Sequence, residues 1–217
     1  MVGEVLRGFD LAGVFGCAVM GGVLARSRGL DPVGFVVLAI LSGLGGGIIR
    51  DTLLQFGPPV ALVDPAYIGT ASAGALVAFF LPFDGALWRR CFPVVDACAV
   101  GCWATAGAQK TLGAGLAWWA AILLGIVTAV GGSAVRDVVL GRIPLIFGGT
   151  TLYATSALIG AATMVALHAV GAPAAGLVAG TTVGAAVTLL ARWRGWELRG
   201  AYAWRGPGRR RAEPNRP

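Results

Sequence analysis

Residues 10–83 align with residues 96–169 without a gap, and the coincidences include residue types that are scarce in this chain. Asp10 falls on Asp96, Arg50-Asp51 on Arg136-Asp137, Pro58 on Pro144 and Tyr67 on Tyr153. Gly29-Leu30, Gly45-Gly46 and Gly74 also meet Gly115-Leu116, Gly131-Gly132 and Gly160. With 35 glycines in 217 residues, glycine matches alone carry little weight; matched Asp, Arg, Pro and Tyr carry much more. Such a chain is expected to fold as two equivalent units and a remainder.

Composition says in what solvent. Hydrophobic residues make up 57% of the chain and charged residues only 12%, with a mean hydropathy of +0.79. An ordinary soluble domain is about one quarter charged. Apolar stretches fall at residues 10–28, 32–49, 66–83, 92–110, 116–135, 150–170 and 173–191. Each approaches the roughly 20 residues that a helix needs to cross a hydrocarbon core. The expected fold is therefore an all-α integral membrane protein with seven transmembrane helices. Each copy of the repeat holds three spans, an odd number, so the second copy enters the membrane from the opposite side as an inverted repeat. The expected divisions are 1–91 for the first three-helix repeat, 92–171 for the second, 172–192 for the seventh helix and 193–217 for a basic, disordered tail.

Charge supplies the orientation. Residues 1–191 hold nine Lys or Arg against eight Asp or Glu, whereas residues 192–217 hold eight Arg against two Glu. A basic segment directly after the last span is cytoplasmic by the positive-inside rule, which puts the N-terminus outside in the cell membrane. Arg26, Arg28, Arg89, Arg90, Arg136 and Arg142 then fall on cytoplasmic turns, and only Arg7, Arg50 and Lys110 on outer ones. The tail suits anionic lipid headgroups better than nucleic acid. The first apolar segment has the outline of a secretion signal, but its basic n-region is poor and it matches an internal segment, so it is read as a span.

The motifs GLGGGIIRD (43–51) and AVGGSAVRD (129–137) combine a glycine run with an adjacent Arg and Asp. Glycine lacks a Cβ and favours interruption of a helix, so spans two and five are expected to kink or unwind there. Unsatisfied backbone within hydrocarbon is tolerated only beside protein or a water-filled cavity, so the breaks are expected to line a solute pathway. Gly45, Gly46, Gly47, Arg50 and Asp51, with Gly131, Gly132, Ser133, Arg136 and Asp137, are its candidate residues. An ionisable residue in a span is a functional hypothesis in its own right, although an Arg that snorkels to the interface and pairs with a nearby acid is the plainer reading.

Lys110, the only lysine, is read either as an interfacial anchor or as a gating charge at the mouth of the path. Asp10 and Asp96 start spans one and four, where an acid caps the positive helix end. Tyr67, Tyr153 and His168 suit membrane interfaces. Gly176, Gly180 and Gly184 give the seventh span a face that admits a closely packed helix, from this chain or another subunit. Cys98 and Cys102 lie one turn apart, but beyond Asp96 their helix offers no further ligand, so no metal and no cofactor are expected.

The two glycine motifs, the helix starts FDLAGVFGCAVMGG and VDACAVGCWATAGAQK, and the segment GRIPLIFGGTTLYATSALIGA resemble the prokaryotic branch of the trimeric intracellular cation (TRIC) channels. Some bacterial members of that family carry a glycine transporter label. The resemblance covers residues 5–191. It implies a homotrimer in which each subunit has its own pore for monovalent cations, chiefly potassium, bordered by kinked second and fifth helices. Two departures stand out: Ser133 replaces a third glycine, and the first copy has QFGPPVAL where the second has GRIPLIF.

The leading expectation is a potassium-permeable channel with its path between the inverted repeats; a secondary transporter for a small zwitterion such as glycine is the alternative. An enzyme fits poorly. The chain has one His, no nucleophile elbow, and no Lys followed by Ser or Thr after its glycines to hold phosphate.

Overall fold

Helix boundaries follow from local chemistry. Asp31 accepts from the Gly34 N–H and Pro32 follows it, a combination that starts a helix. Gln55, in the left-handed conformation at φ 51°, ends that helix by donating its N–H to the Asp51 carbonyl. The computed structural model describes residues 2–81, 83, 85–147 and 152–196. In chain order the helices are α1 (Val2–Ser27), α2 (Pro32–Leu54), the single turn α3 (Val60–Val63), α4 (Pro65–Phe80), α5 (Ala86–Gly113), α6 (Trp118–Val139), α7 (Tyr153–Ala169) and α8 (Pro173–Arg194). A 3-10 turn at Leu145–Phe147 stands where α3 stands in the first copy.

Each of the seven apolar stretches is helical. Five helices are long and apolar enough to cross a membrane, while α4 and α7 are shorter, at 16 and 17 residues. Helices α1, α2 and α4 pack on one another, and α5, α6 and α7 do the same. The two sets meet chiefly through α2 against α6 and α1 against α5, and α8 lies against α5 and α7.

The α2/α6 contact corrects the expectation that these helices unwind at their glycines. Both helices run without interruption through Gly45–Gly47 and Gly131–Gly132. A Cβ on Gly46 would stand 2.2 Å from the Thr128 carbonyl oxygen, and one on Gly132 would stand 2.3 Å from that of Ser42. The glycines let two backbones touch. Within a packed interior no water competes for the helical hydrogen bonds, so bare Cα positions become a crossing point and not a break. Gly180 and Gly184 do the same for α8: their absent side chains admit Thr105 and Gly101 of α5 and Gly160 of α7. The neighbour of that face therefore belongs to the same chain.

Asp10 and Asp96 also differ from expectation. Helices α1 and α5 begin well before them, so both acids stand inside helices and cap neither. The expected tail falls largely on residues 197–217, outside the described residues.

Candidate functional site

Four charged residues gather at one end of the molecule. Arg50, near the end of α2, is 1% exposed and donates from Nε to Oδ1 of Asp51 at 2.8 Å. The same oxygen accepts from Lys110 Nζ at 2.8 Å, and Oδ2 accepts the Val60 N–H at 3.0 Å. Arg50 Nη2 lies 3.8 Å from Asp10 Oδ2, which accepts the Tyr67 hydroxyl at 2.9 Å. A carboxylate taken out of water needs such partners, and here they come from four helices.

The other end repeats this arrangement. Arg136 donates from Nε and Nη2 to Asp137 Oδ1 at 3.2 and 3.1 Å. The Tyr153 hydroxyl donates to Asp96 Oδ1 at 2.9 Å. The additional cation is Arg192 of α8, whose guanidinium donates to Asp96 Oδ2. Tyr67 and Tyr153 are thus partners of buried acids instead of members of an aromatic belt. His168 Nδ1 approaches Gln109 Oε1 at 3.2 Å.

Four cavities lie between the two ends, each sharing lining residues with the next. At the Lys110 end a cavity of about 230 Å³ is lined by Arg7, Asp10, Arg50, Asp64, Tyr67 and Lys110. It shares Asp10, Arg50, Val60 and Tyr67 with a chamber of only about 10 Å³ that reaches Gly43, Gly47 and Trp103. Beyond Trp103 a chamber of about 260 Å³ is lined by Cys17, Ser42, Asp96, Ser133, Arg136 and Arg192 among others. It shares Met20, Phe92 and Arg136 with a cavity of about 300 Å³ at the Arg142 end.

The structure therefore brings together Arg50, Asp51, Lys110 and Asp10 at one end, and Arg136, Asp137 and Asp96 at the other. Gly47 and Ser133 line chambers, whereas Gly45, Gly46, Gly131 and Gly132 form the helix crossing. Lys110 is 41% exposed yet ion-paired, so it is tied to the first-copy cluster from α5. Sequence reasoning missed Trp103 and Arg192. Trp103 pairs in the repeat with Cys17 and not with another tryptophan, and Arg192 is one of eight arginines from 192 onward; a lone tryptophan amid small residues was the available signal. Among the described residues no three His, Cys, Asp or Glu gather as metal ligands.

The profile of the family described as glycine transporter matches residues 7–82 and 93–169, the two repeat copies. A UPF0126 membrane protein of Deinococcus radiodurans is 35% identical over 159 residues, 73% of this chain and 74% of that protein. The UPF0126 inner membrane protein YadS of Escherichia coli K12 is 33% identical over 154 residues, 70% of this chain and 73% of its own length. Among solved structures, the TRIC trimeric intracellular cation channel orthologue from Rhodobacter sphaeroides superposes with a TM-score of 0.77 at 34% identity, covering 88% of this chain and 96% of that one. Another TRIC cation channel gives 0.81 at 28% identity, covering 90% and 97%.

Proposed function

We propose a function from the premise that the chain belongs to the glycine transporter family: it is an integral membrane protein through which monovalent cations, potassium foremost, pass in each subunit. The observation that carries this reading is a set of four cavities in one chain that share lining residues in sequence, with the carboxylates of Asp51 and Asp137 toward either end. The likeness to TRIC channels supports it. On this reading α4 and α7 cross the membrane with the five longer helices, and the two triads form a 3+3 inverted repeat with α8 as the seventh span. The path passes beside the α2/α6 crossing, not through it. Arg50, Asp51, Arg136 and Asp137 face it, and the Asp carboxylates offset the guanidinium charge that a permeant cation meets.

The assembly proposed is a homotrimer in the inner membrane, surrounded by lipid, with the N-terminus outside and the basic C-terminal segment cytoplasmic; nucleic acid is not a partner. Recording from purified protein in bilayers under a potassium gradient tests the reading, and unitary cation currents are the expected result. A second reading draws on the guanidinium–carboxylate pairs, which are complementary to a zwitterion. Saturable glycine uptake without unitary currents is the result that selects it over the channel.

A further inference from the structure

We infer that Trp103 is the barrier in this path, closing a one-water chamber into which cations do not enter while the indole stays in place. The inference rests on the permeation reading above and names the residue that interrupts the path. Trp103 lines the chambers of about 10 and about 260 Å³, and among the described residues it is the one lining both. It is 3% exposed. A Cβ on Gly13 would stand 2.1 Å from its Nε1, so the indole rests against bare α1 backbone and fills the space between the helices.

Hydrogen bonding gives the chamber its character. Among the described residues the buried side-chain polar atoms without a hydrogen-bond partner are Arg50 Nη2 and Trp103 Nε1. Both residues line the chamber of about 10 Å³. That volume is close to the smallest able to hold one water. The Arg50 guanidinium in the chamber wall can only donate, so it offers hydrogen to a water oxygen and repels a bare cation. Asp10, the acid lining this chamber, already accepts from Tyr67 and faces Arg50. Water is therefore the occupant the chamber favours, and a cation passes only when the indole leaves. The barrier belongs to one copy of the repeat, because the residue corresponding to Trp103 is Cys17, a much smaller side chain.

Cys17 lines the large chamber and is a native reporter. In full-length protein carrying C91A, C98A and C102A, a membrane-impermeant quaternary-ammonium methanethiosulfonate reagent is applied separately to each face of oriented vesicles. Cys17 is expected to react only from the Arg142 face, and Val60→Cys, on the other side of the indole, only from the Lys110 face. Adding Trp103→Ala should make Cys17 reactive from both faces; Trp103→Phe, which keeps the bulk, should leave it one-sided. Potassium flux should rise in W103A by about tenfold, a barrier lower by about 1.4 kcal/mol. Reaction of Cys17 from both faces, from neither, or only from the Lys110 face in protein that retains Trp103 overturns the inference, as does one-sided reaction in folded W103A. Labelling as expected with no cation current in any variant overturns the permeation reading instead and leaves the barrier standing.

Discussion

The two chambers that meet at Trp103 are built from corresponding residues and differ more than twentyfold in volume, about 10 against about 260 Å³. Asp10, Gly43, Gly47, Arg50 and Tyr67 line the small one; Asp96, Ala129, Ser133, Arg136 and Tyr153 occupy the same places in the large one. The duplicated residues supply the frame, an acid that accepts from a tyrosine beside an Arg-Asp pair. Residues that differ between the copies set the volume. Trp103 corresponds to Cys17 in the repeat, and α3, whose Val60 and Ala61 line the small chamber, corresponds to a segment whose Ile146 and Phe147 do not line the large one. Two copies of one design thus end up as a nearly closed space and an open one.

That comparison can be broken by experiment. The largest effect is expected from Arg50→Ala, which removes the buried guanidinium between Asp51 and Asp10, leaves Asp51 only Lys110 and the Val60 N–H, and should cost about 3–5 kcal/mol. Arg136→Ala leaves Asp137 near a chamber with room for water, so the expected loss is smaller, about 1–3 kcal/mol. Thermal unfolding in detergent measures both, and equal losses remove the distinction between the chambers. Gly46→Ala and Gly132→Ala sit at the crossing the copies share, where overpacking costs about 1–3 kcal/mol. Here equal losses are the expected result, and a large inequality argues against a symmetric contact.

Lys110→Gln should change stability by under about 1 kcal/mol, because the lysine is partly exposed. If its charge moves in the membrane field, the activation curve shifts with a sensitivity of up to about 2.3 kcal/mol per 100 mV; an unmoved curve makes it an anchor for Asp51. The smallest effect belongs to Arg7→Ala. Arg7 donates to Asp64 at 2.7 Å near the surface, and this hydrogen bond, then the Ala66 N–H, holds the Asp64 carboxyl below the usual carboxylate range. A lowered folded-state value means that the pair stabilises above the unfolded carboxylate's pKa and loses that contribution as pH falls through the folded one. The difference between R7A and the parent should therefore vanish in acid and shrink in salt.

Most of the architecture was legible. The apolar stretches became helices because each is long and continuous and most have Gly, Pro or Asp at one end, and the three helices of each copy pack on one another. The Asp–Tyr pairs were present in the alignment, since Asp10 and Tyr67 stand as far apart as Asp96 and Tyr153. Their bonding was not read because each residue alone also suits a helix start or an interface. The glycine runs misled for a related reason. A stretch without Cβ atoms reads the same whether it loosens a helix or lets another approach, and only the opposing Thr128 and Ser42 carbonyls distinguish the two. Trp103 and Arg192 act through long-range contacts that no spacing along the chain encodes.

The meeting of α2 and α6 has a mechanical consequence. Glycine faces carbonyl on both sides, with Val135 and Ile49 the side chains that reach the opposing glycines, so tilting one half against the other there asks few rotamers to change. The contact is tight against compression yet smooth against rotation, which makes it a bearing on which two otherwise well-packed halves can rock.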